Sequence, residues 1–257
     1  MPNVRRCVSE REAPGYQFMA VELYFILGNA GAHRRTALAD LIGEGLMPTD
    51  RAAVLLSEGE APAEADAALA RTGAVVTTWK WEKPSMDLEV PEGATHLFLV
   101  ADGRSNPVDQ LEALREWLLM RADVRLARVL FVADAALLVA NPKLDPWFDA
   151  CAHFSDVLLL TRVEGVDQKW INGLEKRYRD KHYPFLFEVV RRDTLKNPAV
   201  MLIPEARRMA QVFDEDIPLA DETDEEMEAA MAENDRYFAR TRGGTRVEEI
   251  PNVAVFL

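Results

Sequence analysis

Residues 21–42 read VELYFILGNAGAHRRTALADLI, and this stretch decides the fold. Its first seven residues, Val21–Leu27, are mostly apolar, β-branched or aromatic, which predicts a buried strand. A turn containing Gly28 and Gly31 follows, and a helical pattern runs from residue 34 to 43. In parallel sheets, phosphate-binding loops occur where the first strand enters a helix through a glycine-containing turn.

Short apolar runs of the same kind alternate with helical patterns along the chain. The predicted strands are 21–27, 52–57, 74–81, 96–100, 128–133, 156–160 and 185–190. The predicted helices are about 34–43, 62–71, 108–121, 144–154 and 167–180. Apolar strands that alternate with helices form parallel sheets covered on both faces. We therefore predict an α/β fold with a mostly parallel, doubly wound sheet flanked by helices.

The two ends of the chain lack this alternation. We predict a disordered leader at residues 1–18, one α/β domain at 19–190 and an irregular C-terminal extension at 191–257. Within the extension, residues 204–213 and 223–240 have helical patterns. Residues 247–257 are expected either to add a strand or to dock as a tail.

Composition narrows the class of protein. Hydrophobic residues make up 49% of the 257 residues, enough for a large buried core. No apolar run approaches the roughly 20 residues that a membrane span needs, so no membrane contact is expected. The two cysteines, Cys7 and Cys151, are too few for a disulfide framework. We predict a cytoplasmic protein.

The net charge of −13 argues against a nucleic-acid partner, because phosphate neutralisation needs surplus Lys and Arg. The acidity is local, since residues 214–235 hold eleven acidic residues and no Lys or Arg, which leaves the rest of the chain at −2. Such a segment is either exposed to solvent or an interaction tail. As an interaction tail, it could dock on a basic partner protein or on the chain's own His33-Arg34-Arg35. Trp79 and Trp81 lie two positions apart on a predicted strand and share a face, so the pair is either packed in the interior or exposed for a partner.

The turn after the first strand has the setting of a phosphate loop but altered residues. The motif G-x-x-x-x-G-K-[ST] needs a glycine for close backbone approach, a Lys for the β and γ phosphates and a hydroxyl for Mg²⁺. Those three positions hold His33, Arg34 and Arg35. A cation in place of the hydroxyl repels the metal. The candidate phosphate or nucleotide site consists of Gly28, Asn29, Gly31, His33, Arg34, Arg35 and Thr36.

Four segments, in order, resemble CobW-type P-loop GTPases. The run 24–42 is similar to that family's phosphate loop, which commonly reads close to LTGFLGAGKTTLLNHLL. Residues 54–60 (VLLSEGE), with Asp66, resemble VIVNEFGE followed by an aspartate, and residues 97–107 (LFLVADGRSNP) resemble VVIETSGLADP. Residues 152–164 (AHFSDVLLLTRVE) resemble FADVILLNKTD, which ends in the guanine-reading NKxD motif. Over about residues 20–190 the chain thus resembles a degenerate CobW-type GTPase, a relative of UreG and HypB in the SIMIBI class.

The resemblance implies a P-loop NTPase-like fold and assigns further candidate residues. Glu58, Asp66 and Gly103 fall at switch-like positions. Thr161, Arg162 and Glu164 fall at the base-recognition position, where the family's Asn is replaced by Thr161. Val100 replaces the family's Glu, which leaves Asp102 as the candidate catalytic acid.

The family's C-x-C-C metal motif has no counterpart near residues 79–81, and the histidines at 96, 153 and 182 show no ligand spacing, so no metal site is expected. Because the Lys, hydroxyl and Asn positions are lost together, we predict a pseudo-GTPase with little or no nucleotide hydrolysis that serves as a regulatory or protein-interaction module and not as an enzyme. Its partner is an unknown protein or a second copy, since GTPases of this kind often pair through their nucleotide faces.

Two other functions fit the same residues. In an atypical NTPase, Arg34 and Arg35 hold the phosphates of GTP or ATP, and Thr36 or Asp102 orients the metal or water. In a metal-free binder, the loop holds phosphate, sulfate or an acidic metabolite. The His33-Arg34-Arg35 run is also compatible with a purely structural role.

Overall fold

The computed structural model describes residues 20–59, 62–214 and 235–257. The predicted leader 1–18 and all but the end residues of the acidic segment 214–235 lie outside these ranges. The strands are β1 (Val21–Leu27), β2 (Ala52–Ser57), β3 (Val75–Trp79), β4 (His96–Val100), β5 (Val124–Asp134), β6 (Val157–Thr161) and β7 (Leu186–Val189). The helices are α1 (Arg34–Gly45), α2 (Ala65–Arg71), α3 (Pro107–Leu119), α4 (Ala135–Ala140), α5 (Asp145–His153), α6 (Gln168–Asp180) and α7 (Pro198–Met201).

The strands form one seven-stranded sheet in the order β3-β2-β4-β1-β5-β6-β7. Every pair in it is parallel. The predicted mostly parallel α/β sheet flanked by helices is therefore confirmed. Strand β1 lies at the centre, so the turn that follows it emerges at the middle of the carboxyl edge of the sheet. Ligands of open α/β sheets bind at that edge.

Alternation along β1 divides the core into two layers. Leu23, Phe25 and Leu27 face a layer that includes α3, α5 and α6, while Tyr24 and Ile26 face a layer that includes α1, α2 and α7. Successive strand side chains point to opposite faces, so a strand apolar at every position is buried on both.

Several expectations outside the sheet were wrong. Residues 204–213 form no helix, because the backbone N–H groups of Met209 and Ala210 both donate to the carbonyl of His153 instead of to helical partners. Residues 235–240, the described end of the predicted helix 223–240, form a turn and an isolated bridge. For residues 247–257, the added-strand alternative is wrong and the docked-tail alternative holds, because Val253–Phe256 is a 3-10 helix whose Val253 is buried in the core.

The described residues after 190 pack on the sheet domain. Leu195, Met201 and Leu202 join one core layer, and Tyr237, Phe238 and Val253 join the other. The carboxylate of Asp156, fully buried at the start of β6, accepts hydrogen bonds from the backbone N–H of Val129 at 2.7 Å and of Arg207 at 2.6 Å. Arg208 donates to both oxygens of the same carboxylate. The boundary at residue 190 stays a prediction.

Within the described ranges, no helix has both the length and the apolar character needed to cross a membrane.

Candidate functional site

The turn between β1 and α1 keeps the path of a phosphate loop. Gly28 has φ +139°, and a Cβ there would lie 2.5 Å from the carbonyl oxygen of Val132, so only glycine fits. His33 has φ 60° at the position where the motif places its second glycine, and α1 begins at the next residue. A non-glycine residue in this left-handed region is uncommon and carries strain. The bridge from the central strand into a helix is thus present.

Arg34, at the position of the motif's lysine, points inward. Its side chain is buried, and Nη1 donates a 2.6 Å hydrogen bond to the carbonyl oxygen of Ala101, just past the end of β4. Burial lowers the pKa of the guanidinium to about 9, and the nearby carboxylate of Asp102 offsets part of that shift. The guanidinium is thus bonded to the backbone just past β4, although Arg34 also belongs to the lining of the cavity at the loop.

A carboxylate of the chain lies against each of the other two side chains of the run. Nη1 of Arg35 donates to both carboxylate oxygens of Asp66, at 2.7 and 2.9 Å. Nδ1 of His33 lies 3.0 Å from Oδ1 of Asp193. Cations at a helix N-terminus oppose the helix dipole and favour a nearby anion. Here Asp66 and Asp193 supply negative charge of the kind that a bound phosphate supplies in a phosphate loop.

The loop is packed against the segment that follows β4. The N–H of Ala30 donates to the carbonyl oxygen of Gly103 at 3.0 Å. A Cβ at Gly103 would lie 2.3 Å from the nitrogen of Ala30 and 2.7 Å from the carbonyl carbon of Asn29, so the two backbones touch. This contact requires glycine at residue 103. It also engages the N–H of Ala30, a backbone donor of the kind that phosphate loops direct at their ligand.

Gln110, fully buried on α3, fixes Asp102 in place. Its Oε1 accepts from the N–H of Asp102 at 2.7 Å, and its Nε2 donates to the carbonyl of Asp102 at 3.0 Å. The carboxylate of Asp102 accepts from the N–H of Arg104 and the hydroxyl of Ser105, and so closes a turn. The candidate catalytic acid is therefore already engaged in local hydrogen bonds.

Two of the three residues at the base-recognition position, Thr161 and Arg162, contact the loop or its neighbours. Thr161, buried at the end of β6, donates from Oγ1 to the carbonyls of Ala32 and Ala133, at 2.9 and 3.1 Å. Arg162 is held by the buried carboxylate of Asp134 at 3.0 Å. Asp134 also lies 3.5 Å from Nδ2 of Asn29. Thr161 and Arg162 thus join the loop through the chain's own groups.

Glu58 and Glu164 lie apart from this cluster. Glu58 is exposed in the turn after β2 and lines a different cavity, beside β3. Glu164 is exposed in the turn after β6. The structure therefore brings together the loop residues, Asp66, Asp102, Gly103, Thr161 and Arg162, and leaves Glu58 and Glu164 outside.

A cavity of about 800 Å³ opens above the loop. Thr36, Arg104, Arg162 and Leu137 line it, and so does Phe256 from the C-terminal 3-10 helix. Among the described residues, no group of three or more His, Cys, Asp or Glu side chains converges as metal ligands.

Sequence reasoning missed three residues of the site: Asp134, Asp193 and Gln110. Asp134 had a usable signal, because it ends a buried strand at the carboxyl edge and precedes an apolar run, as an N-cap does. Gln110 was a polar residue on the otherwise apolar face of a predicted helix. Asp193 gave no signal, since it pairs with a residue 160 positions away.

No family model matches the chain, and the search of curated proteins returns no match. Solved structures of P-loop GTPases are similar to it over part of its length. Zn(II)-bound YjiA GTPase from E. coli is 12% identical with a TM-score of 0.46, over 72% of this chain and 61% of that one. HypB from Helicobacter pylori in complex with nickel is 11% identical with a TM-score of 0.45, over 68% and 80% of the two chains. The signal recognition particle receptor FtsY from Elizabethkingia anophelis is 14% identical with a TM-score of 0.46, over 70% and 64%.

The chain spans about three fifths of the length of the YjiA structure, as the 61% coverage states. At TM-scores below 0.5, the fold assignment rests on the chain's own strand order and loop. The chain is similar to P-loop GTPases of the class that its four sequence segments resemble.

Proposed function

We propose that this chain is a P-loop GTPase-like protein that does not hydrolyse nucleotides and works as a regulatory or protein-interaction module. One observation carries the proposal: the guanidinium of Arg34 is buried and donates to the carbonyl of Ala101 at 2.6 Å. In the motif, the cation at this position reaches the β and γ phosphates of the nucleotide. A buried guanidinium that donates to a backbone carbonyl is a poor substitute for it.

A magnesium nucleotide does not fit the residues at the start of α1. The hydroxyl that would coordinate Mg²⁺ is replaced by Arg35, a cation bonded to Asp66. The neighbouring hydroxyl of Thr36 lies one helical position further on. Because the N–H of Ala30 is committed to Gly103, the loop also lacks one backbone donor for phosphate.

Base recognition is reduced in the same way. Thr161 directs its hydroxyl to two backbone carbonyls, and Arg162 is paired with Asp134. Neither side chain therefore takes the place of the Asn amide that reads the guanine base in the NKxD motif. The alternative function, an atypical GTP or ATP hydrolase that grips phosphate with Arg34 and Arg35, requires both side chains to leave their carbonyl and carboxylate partners.

The cavity above the loop favours a second candidate, a metal-free site for phosphate, sulfate or an acidic metabolite. Its volume is about 800 Å³, and its lining includes the basic residues His33, Arg34, Arg35, Arg104 and Arg162. The same lining contains Glu64, Asp134 and Asp193, which oppose a strongly anionic ligand.

The test is calorimetry of the full chain with GTP, GDP and ATP at millimolar concentration, with and without Mg²⁺, together with a phosphate-release assay. We expect neither saturable heat nor turnover. Robust Mg²⁺-dependent turnover that Arg34→Ala abolishes would overturn the proposal. Arg125→Ala is the matched control, because Arg125 is ion-paired with Glu22 near the opposite edge of the sheet.

A thermal-shift screen with phosphate, sulfate and phosphorylated metabolites tests the second candidate. A ligand at 100 times its Kd stabilises the fold by about 2.7 kcal/mol, which such a screen detects. A Mg²⁺-independent shift that Arg104→Ala removes would favour the metal-free site, and flat curves throughout would reject it.

A further inference from the structure

Strand β3 is an exposed edge of the sheet. Val75, Val76, Thr77 and Thr78 are all exposed, and the exposed fractions of the two valines are 54% and 40%. Strands of parallel sheets are normally buried on both faces. We expected exposure, if any, at Trp79 or Trp81. Instead Trp79 is buried, with Nε1 donating to the carbonyl of Val100 at 2.9 Å, and the β-branched residues before it are open.

The outer side of β3 has no strand beside it in the part of the chain that the structure describes. The sheet order ends at β3, which pairs with β2 on its inner side. Proteins usually protect such edges with charged side chains, prolines, bulges or a covering segment, because an open edge pairs with other strands. Residues 74–79 read AVVTTW and contain no charge, proline or glycine.

The other edge of the sheet is built differently. Strand β7 is four residues long, its apolar side chains are half-buried, and it contains the buried carboxylate of Glu188. Glu188 accepts a hydrogen bond from the N–H of Lys196, in the segment that follows the strand. Protection of β7 and exposure of β3 in the same sheet indicate that β3 is a pairing surface.

We propose that β3 pairs antiparallel with β3 of a second copy of this chain. The strand needs a partner that is extended, uncharged and β-branched, and β3 itself has this chemistry. Two copies related by a twofold axis place no like charges opposite each other along residues 74–79, because these six residues carry no charge. A cavity of about 810 Å³ adjoins the strand, and its lining includes Thr77 and Thr78 as well as the charged residues Glu58, Lys80, Asp87, Glu89 and Arg121.

This pairing goes beyond the proposed function and does not depend on it. In an antiparallel β3 pair, the carboxyl edges of the two sheets lie on opposite sides of the dimer. The two loop cavities then face away from each other and stay open to other partners. A dimer paired through the nucleotide faces, as the family resemblance implies, would bring the two cavities together instead.

Sedimentation of the full chain between about 1 and 200 µM tests the pairing, a range suited to small interfaces. We expect the mass to rise from 28.9 kDa toward twice that value. Val76→Lys should remain monomeric across the range, with an unchanged far-UV circular dichroism spectrum. Val139→Lys is the matched control, because Val139 is exposed to a similar fraction, 44%, on α4, and it should dimerise like the parent. A monomeric parent, or a Val76→Lys variant that dimerises equally well, overturns the proposal.

Cysteine cross-linking tests the register. A twofold axis across an antiparallel pair brings one residue opposite its own copy, at a Cα separation that permits a disulfide. Single cysteines at residues 75–78, in a Cys7→Ser background, should include at least one that forms a covalent dimer under mild oxidation. The native Cys151 is buried and stays in place. If none cross-links faster than Val139→Cys, the pairing is wrong. Because neither experiment involves nucleotide, either proposal can fail alone.

Discussion

Gly103→Ala tests whether the loop and the segment after β4 are in backbone contact. A Cβ at this position would lie 2.3 Å from the nitrogen of Ala30 and 2.7 Å from the carbonyl carbon of Asn29. Both are backbone atoms, so the clash cannot be relieved by rotating a side chain. The φ of Gly103 lies outside the left-handed region, so alanine is not otherwise strained there.

The magnitude follows from the cost of overpacking, typically about 1–3 kcal/mol. We place Gly103→Ala at the upper end, about 3 kcal/mol, because backbone must move on both sides. For a domain of this size, about 2–4 °C of Tm is lost per kcal/mol, so Tm should fall by about 6–12 °C. Hydrogen exchange at the Ala30 amide should become faster, since its bond to Gly103 is the contact displaced.

Scanning calorimetry and urea unfolding measure this change, with Gly43→Ala as the matched control. Gly43 lies in α1 with open space around its Cβ position, so alanine there should stabilise the protein by about 0.5–1 kcal/mol. If Gly103→Ala melts at the temperature of the parent and leaves the Ala30 amide protected, the loop is not closed by this contact, and the reasoning behind the proposed function fails.

Two further predictions concern the attachment of the extension. Asp156→Ala removes the buried carboxylate that pairs with Arg208, whose other carboxylate partner is Asp214, and that accepts from the N–H groups of Val129 and Arg207. It should lower the free energy of unfolding by about 3–5 kcal/mol, measured in urea; a loss below about 1 kcal/mol would contradict this set of contacts. Burial alone would raise the pKa of Asp235, but the hydrogen bond and charge of His153 outweigh it and lower that pKa. The stability this pair contributes is therefore present above the carboxyl's unfolded pKa of about 3.9 and is lost as pH falls through the lower folded value. Asp235→Asn should be less stable than the parent at pH 6, with the difference shrinking toward pH 2 in thermal melts; a constant difference would argue against the linkage.

The sheet could be predicted from sequence because its signals are local. Each strand is a short apolar run, and the stretch VELYFIL is buried on both faces as its composition requires. The failures came where distant groups override local pattern. Residues 204–213 have helical periodicity, yet their N–H groups are taken by His153 and Asp156. Helix α4 was missed because its six residues follow β5 without a break.

The candidate site was predictable in position but not in detail. The loop and its substituted residues are contiguous, so the altered motif was readable from His33-Arg34-Arg35. The burial of the Arg34 side chain could not be predicted, because its hydrogen-bond partner is a backbone carbonyl 67 residues away. Every residue has such a carbonyl, so the sequence does not indicate which one will accept the bond. The pairing of Arg35 with Asp66 was partly readable, because the family resemblance had already selected Asp66.

His153 holds both flanks of residues 215–234: its carbonyl accepts from Met209 and Ala210, and its ring pairs with Asp235. Whatever chain runs between these anchor points leaves from and returns to one place on the domain. The entropy cost of joining two fixed points of a chain grows only slowly with the number of residues between them. Shortening this stretch, lengthening it or grafting a reporter sequence into it should therefore leave the rest of the protein intact, which makes it the natural position for engineering.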